Sequence, residues 1–438
     1  MNLPKISIVG LGKLGAPLAI VFASRGFEVT GIDINSDTIQ SLNAGKIHVF
    51  EPDVTELLKK HADHFRATSD FNEISASDIT LIIVPTPSSR NGIFLNAFVL
   101  DAVKKIGNVL KNKKSFHVIS IQSTVVPQSM EKEILPALEK ASGKKVGKNI
   151  GLCYNPAFVA LGSVVRNFLY PDFILIGESD KRSGDKLEEM HKELCMNKPS
   201  VKRMNFVNAE ITKLALNTYV TTKISYANML TELCEEIPHA NVHTVTDALG
   251  NDSRIGHRYL SGGTAYGGPC FPRDNKALTA VGKKVGVTLG IPKITDDINK
   301  HQIDRLLAIL KKNKGGNHIS ILGLTYRDNS DVVEEAVGMH LVKKLLKMNY
   351  SVSVYDPIGM ENAKKILGNK VHYAKNIKSC IESATSIIIA TGWPEFKDMK
   401  LSGMKRKNPL LIDCWQTIAS KTIQKGTRYY ALGIGKHT

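Results

Sequence analysis

The chain has 438 residues, too many for one ordinary core, and its length points to about two or three domains. With 42% hydrophobic and 23% charged residues it has the make-up of a soluble globular protein, which excludes a collagenous or disordered chain. The net charge of +17 would suit nucleic acid or help attract small polyanions, but it also fits a lysine-rich solvated surface. The lysines are spread along the chain and not clustered with aromatics, so the last reading is favoured and no nucleic-acid partner is expected. No apolar run reaches the ~18 residues of a membrane span, and the N-terminus passes almost directly into a strand-like segment without a signal peptide. A cytoplasmic protein with no membrane partner is expected. Cys153, Cys195, Cys234, Cys270, Cys380 and Cys414 form no C-x-x-C pair, so neither a disulfide framework nor a bound metal is expected. Each cysteine is a buried thiol or a nucleophile.

In chain order, the first elements are a strand (Lys5 to Val9), a glycine turn (Gly10-Leu-Gly12-Lys13-Leu14-Gly15), a helix (Ala16 to Arg25) and a strand (Glu28 to Ile32) ending at Asp33. This is a βαβ unit. Apolar runs at Ile79 to Val84, Phe116 to Ile121 and Ile174 to Gly177 read as further buried strands of a parallel sheet. From Val207 to Ile237 the residues favour a helix, nearly free of breakers until Pro238, which would be roughly 45 Å long. Its apolar positions lie on more than one face, as expected of a helix between two domains and at a subunit contact. A second βαβ unit follows: strand His318 to Leu322, a turn at Gly323-Leu-Thr-Tyr-Arg327, helix Glu334 to Met348 and strand Val352 to Tyr355, ending at Asp356.

The first glycine turn follows a strand, opens a helix and is followed eighteen positions after Gly15 by Asp33, the context a dinucleotide fingerprint requires. Gly10 allows the tight turn, Gly12 the approach of a pyrophosphate, and Gly15 close helix–strand packing, with Lys13 and Leu14 completing the loop. The pyrophosphate then meets the helix N-terminus, where free N–H groups favour an anion. Asp33 would accept bonds from the ribose hydroxyls and repel a 2′-phosphate, and no arginine follows it, so the cofactor expected is NAD. Two later loops, Pro85-Thr86-Pro87 and Ser123-Thr124, fall at the ends of strands where ligands bind such sheets, although each also reads as an ordinary turn. The fold expected is α/β, with two Rossmann-like doubly wound domains joined by a long central helix and a helical middle domain. The boundaries are set at 1–203, 204–300 and 301–438.

Cys270 lies in Gly267-Gly268-Pro269-Cys270-Phe271-Pro272-Arg273-Asp274, where glycines open the backbone for a ligand and the acid four residues on can act as a base. Taken alone, a buried structural cysteine fits as well. Lys213 and Asn217 share a helix face that Val220 and Ile224 continue as an apolar stripe, which suits a functional lysine; a surface polar pair is the simpler alternative.

These features occur together with Gly45 to Leu57 (G-K-I-H-V-F-E-P-D-V-T-E-L), Ser123-Thr124-Val-Val-Pro127, Asn155-Pro156-x-Phe158, Glu210-x-x-Lys213-x-x-x-Asn217 and Trp393-Pro-Glu-Phe396. In that order they resemble the UDP-glucose/GDP-mannose 6-dehydrogenases over nearly the whole chain. The resemblance implies NAD-dependent, four-electron oxidation of the C6 hydroxyl of a nucleotide-activated hexose, UDP-glucose or a UDP-N-acetylhexosamine, supplying a uronic acid for a surface polysaccharide. It implies Cys270 as the nucleophile, forming a thiohemiacetal and then a thioester. Lys213 and Asn217 would hold the oxyanion, Asp274 would move the proton or activate water, and Thr124 would position water and nicotinamide. Phe158, Gly267, Arg327, Arg254 and Tyr259 would contact the substrate. Arg254 would cross to a neighbouring subunit, making a homodimer necessary. The third domain would bind the nucleotide sugar.

This chain also departs from the family pattern. Ala157 and Leu161 stand where the family has glutamates, so hydrolysis needs a replacement carboxylate. Arg327 replaces a lysine, and Glu334 and Trp415 replace arginines. Two other readings stay open. A β-hydroxyacid dehydrogenase would need neither the cysteine loop nor the second α/β unit, and a non-catalytic NAD or nucleotide-sugar binding protein would not need Cys270, Lys213, Asn217 and Asp274 together.

Overall fold

The computed structural model describes residues 3–313, 316–401, 404–405, 408–419, 423 and 426–435. The chain divides into two compact units, Met1–Ala215 and Leu216–Thr438. The dividing point falls inside a continuous helix, Phe206–Glu236, so residues of the central segment beyond Leu216 belong to the second unit.

The first unit is built on eight strands: β1 (Ile6–Val9), β2 (Val29–Ile32), β3 (Phe65–Thr68), β4 (Ile79–Ile82), β5 (Val118–Ile121), β6 (Gly151–Tyr154), β7 (Phe173–Glu178) and β8 (Ser200–Met204). Their order is β3-β2-β1-β4-β5-β6-β7-β8, in which the first six follow the doubly wound dinucleotide-binding arrangement. On β1, Ile6 lies opposite both Val29 and Ile79, and Val9 opposite both Ile32 and Ile82. Alternate residues feed two cores: Ile6, Ile8 and Leu81 pack with the first helix (Gly15–Ser24), while Val9, Ile82 and Ile119 pack on the other face. Burial on both faces explains why these strands read as unbroken apolar runs. One expectation is corrected. The sheet is not wholly parallel, because β7 runs antiparallel to β6, with β8 parallel to β7.

The second unit repeats the arrangement with six parallel strands: β9 (His318–Leu322), β10 (Ser351–Tyr355), β11 (His372–Tyr373), β12 (Ser386–Ile389), β13 (Leu410–Asp413) and β14 (Arg428–Ala431). Their order is β11-β10-β9-β12-β13-β14. Helices Val242–Gly250, Phe271–Lys284 and Gly290–Lys312 precede this sheet. A buried ion pair between Arg305 and Glu235 ties the third of them to the long helix. Glu235 also accepts hydrogen bonds from the Tyr430 hydroxyl (3.0 Å) and the Gly433 N–H (2.7 Å) at the end of the sheet. The helix expected from Glu334 begins only at Val337. Glu335 takes a left-handed conformation (φ 52°), which a helix cannot include.

Candidate active site

In the first unit the glycine turn has the geometry of a dinucleotide loop. Gly10 is left-handed (φ 97°), and a Cβ there would stand 2.6 Å from the Ile83 carbonyl oxygen. A Cβ on Gly15 would stand 1.8 Å from the Gly10 carbonyl oxygen, whereas one on Gly12 would meet nothing within 4 Å. Space is therefore kept open at Gly12 and used for packing at Gly10 and Gly15. Leu14 precedes the helix, half-buried, and Lys13 is exposed. At the end of β2, Asp33 accepts the Leu11 N–H (2.6 Å) on one oxygen and the Asn35 N–H (2.9 Å) on the other. Those bonds fix the carboxylate beside the turn and leave lone pairs on both oxygens. These residues fit NAD.

The loops after β4 and β5 are joined. Thr86 donates to the Thr124 carbonyl (2.8 Å), and Ser123 exchanges hydrogen bonds with both backbone groups of Val84. Pro87 is exposed beside them. After β6, Asn155 is held by Gln122 and His191, each 2.8 Å from its Oδ1. The following loop is clamped at three points. Lys213, almost fully buried, donates to the Ala157 carbonyl (2.8 Å) with its ammonium 4.6 Å from the centre of the Phe158 ring. Asn167 accepts the Ala160 N–H, and Glu51 accepts the N–H groups of Gly162 (2.7 Å) and Val164 (2.6 Å). Ala157, Val159 and Leu161 pack against the first unit's core. The carboxylate that does meet this loop, Glu51, thus has both oxygens engaged in holding it. The motif around Glu51 carries no sequence signal for this role, because Gly162 and Val164 lie more than a hundred residues further along the chain.

In the second unit, Cys270 alone among the six cysteines is exposed. Burial pushes the others away from reactivity, the Cys195 thiol up to about 11 and that of Cys380 up to about 12. Cys270 caps the N-terminus of Phe271–Lys284, with Pro272 in the first turn, and its carbonyl accepts the Asp274 N–H (2.9 Å). Asp274 is buried, and Asn217 of the long helix donates to its Oδ2 at 2.5 Å. The spacing of Cys270, Asp274 and Asn217 thus becomes one cluster, while Lys213 stands one turn before Asn217 on the same helix.

The loop carrying Arg254 is pinned by Lys223, which donates to the carbonyls of Ile255 and Gly256 (3.0 Å each). Arg254 is exposed and paired with Asp252, and Tyr259 (φ 61°) sets its ring edge-on to Phe271 at 6.4 Å. Gly267 and Gly268 are closely covered: a Cβ on Gly267 would stand 2.6 Å from the Glu335 carbonyl oxygen, and one on Gly268 2.8 Å from the Tyr326 ring. The Gly268 N–H donates to the Glu334 carbonyl (3.1 Å). Arg327 is half-exposed beside Asp328. Trp415 donates to the Ala390 carbonyl (3.0 Å) and lays its ring 2.8 Å from where a Cβ on Gly263 would stand. It is a packing residue and cannot replace an arginine's charge.

Family models for the UDP-glucose/GDP-mannose dehydrogenases match three stretches: the NAD-binding domain at residues 4–195, the central domain at 207–301 and the UDP-binding domain at 320–420. The chain belongs to the UDP-glucose/GDP-mannose dehydrogenase family. It is therefore an NAD-dependent oxidoreductase of nucleotide sugars. It is 33% identical over 397 residues to the UDP-glucose 6-dehydrogenase AglM of Haloferax volcanii, covering 90% of this chain and 92% of that one. The Bacillus subtilis UDP-glucose 6-dehydrogenase TuaD is 32% identical over 98% of this chain and 93% of its own. A UDP-glucose dehydrogenase structure from Pyrobaculum islandicum superposes with a TM-score of 0.89 at 29% identity, covering 99% of this chain and 98% of that one. Among the described residues of this dehydrogenase, no helix is long and apolar enough to cross a membrane.

Several groups that shape the dehydrogenase's site escaped the sequence reading. Asn228 accepts the Gly263 N–H (3.1 Å) and donates to the Thr264 carbonyl (2.7 Å), and Asn299 brackets Tyr266 in the same way at 2.7 and 3.0 Å. These amides act as a strand partner for an irregular loop. An asparagine inside a helix carries no sequence signal for that task.

Proposed function

We propose that this dehydrogenase oxidises the C6 hydroxyl of UDP-glucose or a UDP-N-acetylhexosamine to the carboxylate through a covalent intermediate on Cys270. The observation that carries this reading is the exposure of Cys270 alone among the cysteines, at a helix N-terminus and one turn from the Asn217–Asp274 pair. NAD, when bound, takes up one hydride in each of the two oxidations. The helix N-terminus favours the thiolate, which adds to the C6 aldehyde to give a thiohemiacetal. Lys213 and Asn217 stabilise the oxyanion, and Asp274 receives the hydroxyl proton. Loss of the second hydride leaves a thioester. Asp274 passes its proton to solvent and then takes one from a water positioned by Thr124; the water adds to the acyl carbon and the thiolate departs. Gly10, Gly12, Lys13, Leu14, Gly15, Asp33, Thr86 and Pro87 serve the cofactor. Phe158, Arg254, Tyr259, Gly267 and Arg327 serve the sugar nucleotide.

Because Ala157 and Leu161 supply no carboxylate, release of the thioester limits the rate; a general base typically contributes ~10²–10⁴-fold. Rapid mixing of enzyme, NAD and UDP-glucose should show a burst of reduced cofactor, a slow steady state and a final yield of about two per sugar. Undiminished turnover in Cys270→Ala, or accumulation of free aldehyde at one reduced cofactor per sugar, would overturn the mechanism.

The active form is a cytoplasmic homodimer. Tyr219, Tyr226, Met229 and Leu233 form one exposed apolar stripe on the long helix, 47 to 64% exposed, which suits a second copy. Arg254, with 86% of its side chain exposed, reaches the partner's sugar site. Sedimentation of Tyr226→Asp as an inactive monomer is expected; full activity as a monomer would remove this part of the reading.

A further inference from the structure

The turn Gly267-Gly268-Pro269-Cys270 is braced from outside by the loop that carries Tyr326, Glu334 and Glu335. Gly268 is left-handed (φ 84°), proline offers no N–H, and the Gly268 N–H reaches out to the Glu334 carbonyl. The residues on either side of the turn also hold the nucleophile in place. Tyr266 lies four residues before Cys270, and Asn275 five after; both are buried. Their side chains meet at one carboxylate oxygen, Asp296 Oδ1, which accepts the Tyr266 hydroxyl at 2.8 Å and the Asn275 amide at 3.0 Å. The triangle is closed by a contact of 3.0 Å from the Asn275 amide to the Tyr266 hydroxyl oxygen. The Thr221 hydroxyl, 3.2 Å from Asn275 Oδ1, fixes which way that amide points.

Asn299 adds a second hold from the same helix. It stands three residues beyond Asp296 and binds both backbone groups of Tyr266. The Tyr266 ring in turn meets Phe271, the residue after Cys270, edge-on at 6.0 Å. A shift of Tyr266 is therefore passed to Cys270 both along the chain and through Phe271. The Asn217–Asp274 contact is a separate hold, on the helix that follows the cysteine.

We propose that Asp296 is a positioning residue for Cys270, joining the two flanks of the nucleophile's turn so that the thiol is held where it meets the substrate carbon. The proposal rests on the reading of Cys270 as nucleophile. Asp296 itself touches no reacting atom. Its role is geometric, and a misplacement of about 1 Å can cost about 10²-fold in rate.

The test compares Asp296→Ala and Asp296→Asn in the full-length enzyme, with Tyr266→Phe as a variant that removes a single hydroxyl should Asp296→Ala fail to fold. Two readouts are followed: steady-state kinetics with NAD and UDP-glucose, and the rate of iodoacetamide labelling of Cys270 without substrate, assigned by peptide mass. Asp296→Ala should lower kcat about tenfold or more, leave KM for NAD unchanged and change the Cys270 labelling rate several-fold, with Tm within a few degrees of the parent. Asp296→Asn keeps an acceptor oxygen and should recover most of kcat. Wild-type kcat and labelling in Asp296→Ala, or an Asp296→Asn no better than Asp296→Ala, would overturn the proposal. Full turnover in Cys270→Ala would instead remove the nucleophile reading, while the labelling rate would still report whether Asp296 places that thiol.

Discussion

The two sheets share the order of their first six strands and even the placement of their glycines, yet they are built for different ligands. Gly10 and Gly323 both follow the first strand of their unit with φ near 95°, at 97° and 95°. A Cβ on Gly15 would stand 1.8 Å from the Gly10 oxygen, and one on Gly338 would stand 2.1 Å from the Gly323 oxygen. In each unit the helix therefore packs on the opening turn through a glycine. The difference lies in what comes between: four residues separate Gly10 from Gly15, fourteen separate Gly323 from Gly338. The longer connection carries Tyr326, Arg327, Glu334 and Glu335, and it covers the cysteine turn at Gly267 and Gly268. The acids ending the second strands diverge too. Asp33 accepts two backbone N–H groups, whereas Asp356 is buried under six donors from Leu324, Thr325, Ile358, Gly359 and Trp393. One carboxylate keeps capacity for a ribose; the other is used up in shaping its own loop. Topology thus places an acid, and the local donors decide whether it recognises a ligand or holds a fold.

The largest expected effect comes from removing the saturated acid. Asp356→Ala would strand donors around a buried space, at a cost of about 3–5 kcal/mol, while Asp33→Ala should cost under about 1 kcal/mol. Both tryptophans, Trp393 and Trp415, lie in the second unit, and Trp393 donates to Asp356. Denaturation followed by tryptophan emission should show a large loss in Asp356→Ala and a small one at most in Asp33→Ala. Equal stability of the two variants would break the comparison.

Acid should separate the units next. Burial holds His117 and His191 of the first unit neutral, with pKa values pushed down to about 3 and about 4. A depressed histidine contributes stability that is present above about 6.5 and lost as pH falls toward its folded value. Burial pushes Glu210 the other way, up to about 7, against the N–H groups of Met130 and Gln128. Its contribution is complete below the unfolded value and is lost as pH rises through about 7, so it opposes the histidines on acidification. From about pH 6 to 4.5, two protons are gained by the unfolded chain against one already held by Glu210, a net loss of about 1.4 kcal/mol per pH unit. Far-UV circular dichroism should then report melting before tryptophan emission changes, and His117→Gln should flatten the dependence. A first unit as acid-resistant as the second would contradict this.

What sequence could convey follows the same division between local and distant causes. β1, the glycine turn and Asp33 were legible because burial on both faces writes an apolar run and the turn demands glycine within a few residues. The antiparallel β7 was not, since Phe173–Glu178 reads as a buried strand in either direction. The start of the helix at Val337 was not, because the left-handed Glu335 belongs to a loop packed on a turn about seventy residues earlier. At the site, Cys270, Asp274 and Asn217 were legible as spacings on helices. Asp296 and Asn299 were not: in Ile-Thr-Asp-Asp-Ile-Asn they look like solvated helix residues, and only the fold shows that they reach Tyr266. Replacement of an arginine by Trp415 could be read, but its packing on Gly263 could not.

The smallest expected effect is on cofactor choice, and it tests the unsaturated acid directly. Asp33 is fixed by Leu11 and Asn35 with lone pairs remaining on both oxygens, so its charge stands beside the glycine turn. A 2′-phosphate there would meet like charge and lose the bonds that the ribose hydroxyls make. Asp33→Asn keeps the shape and an acceptor oxygen but removes the charge. It should therefore raise KM for NAD only a few-fold while narrowing the preference over NADP about tenfold, roughly 1.4 kcal/mol. The Asn35 and Leu11 N–H groups both retain the single amide oxygen as their possible acceptor, so one of them loses its partner. A small fall in Tm is expected for that reason alone, and it separates the structural part of the role from recognition. Equal kcat/KM for NAD and NADP in the parent enzyme would show that Asp33, like Asp356, serves only its loop.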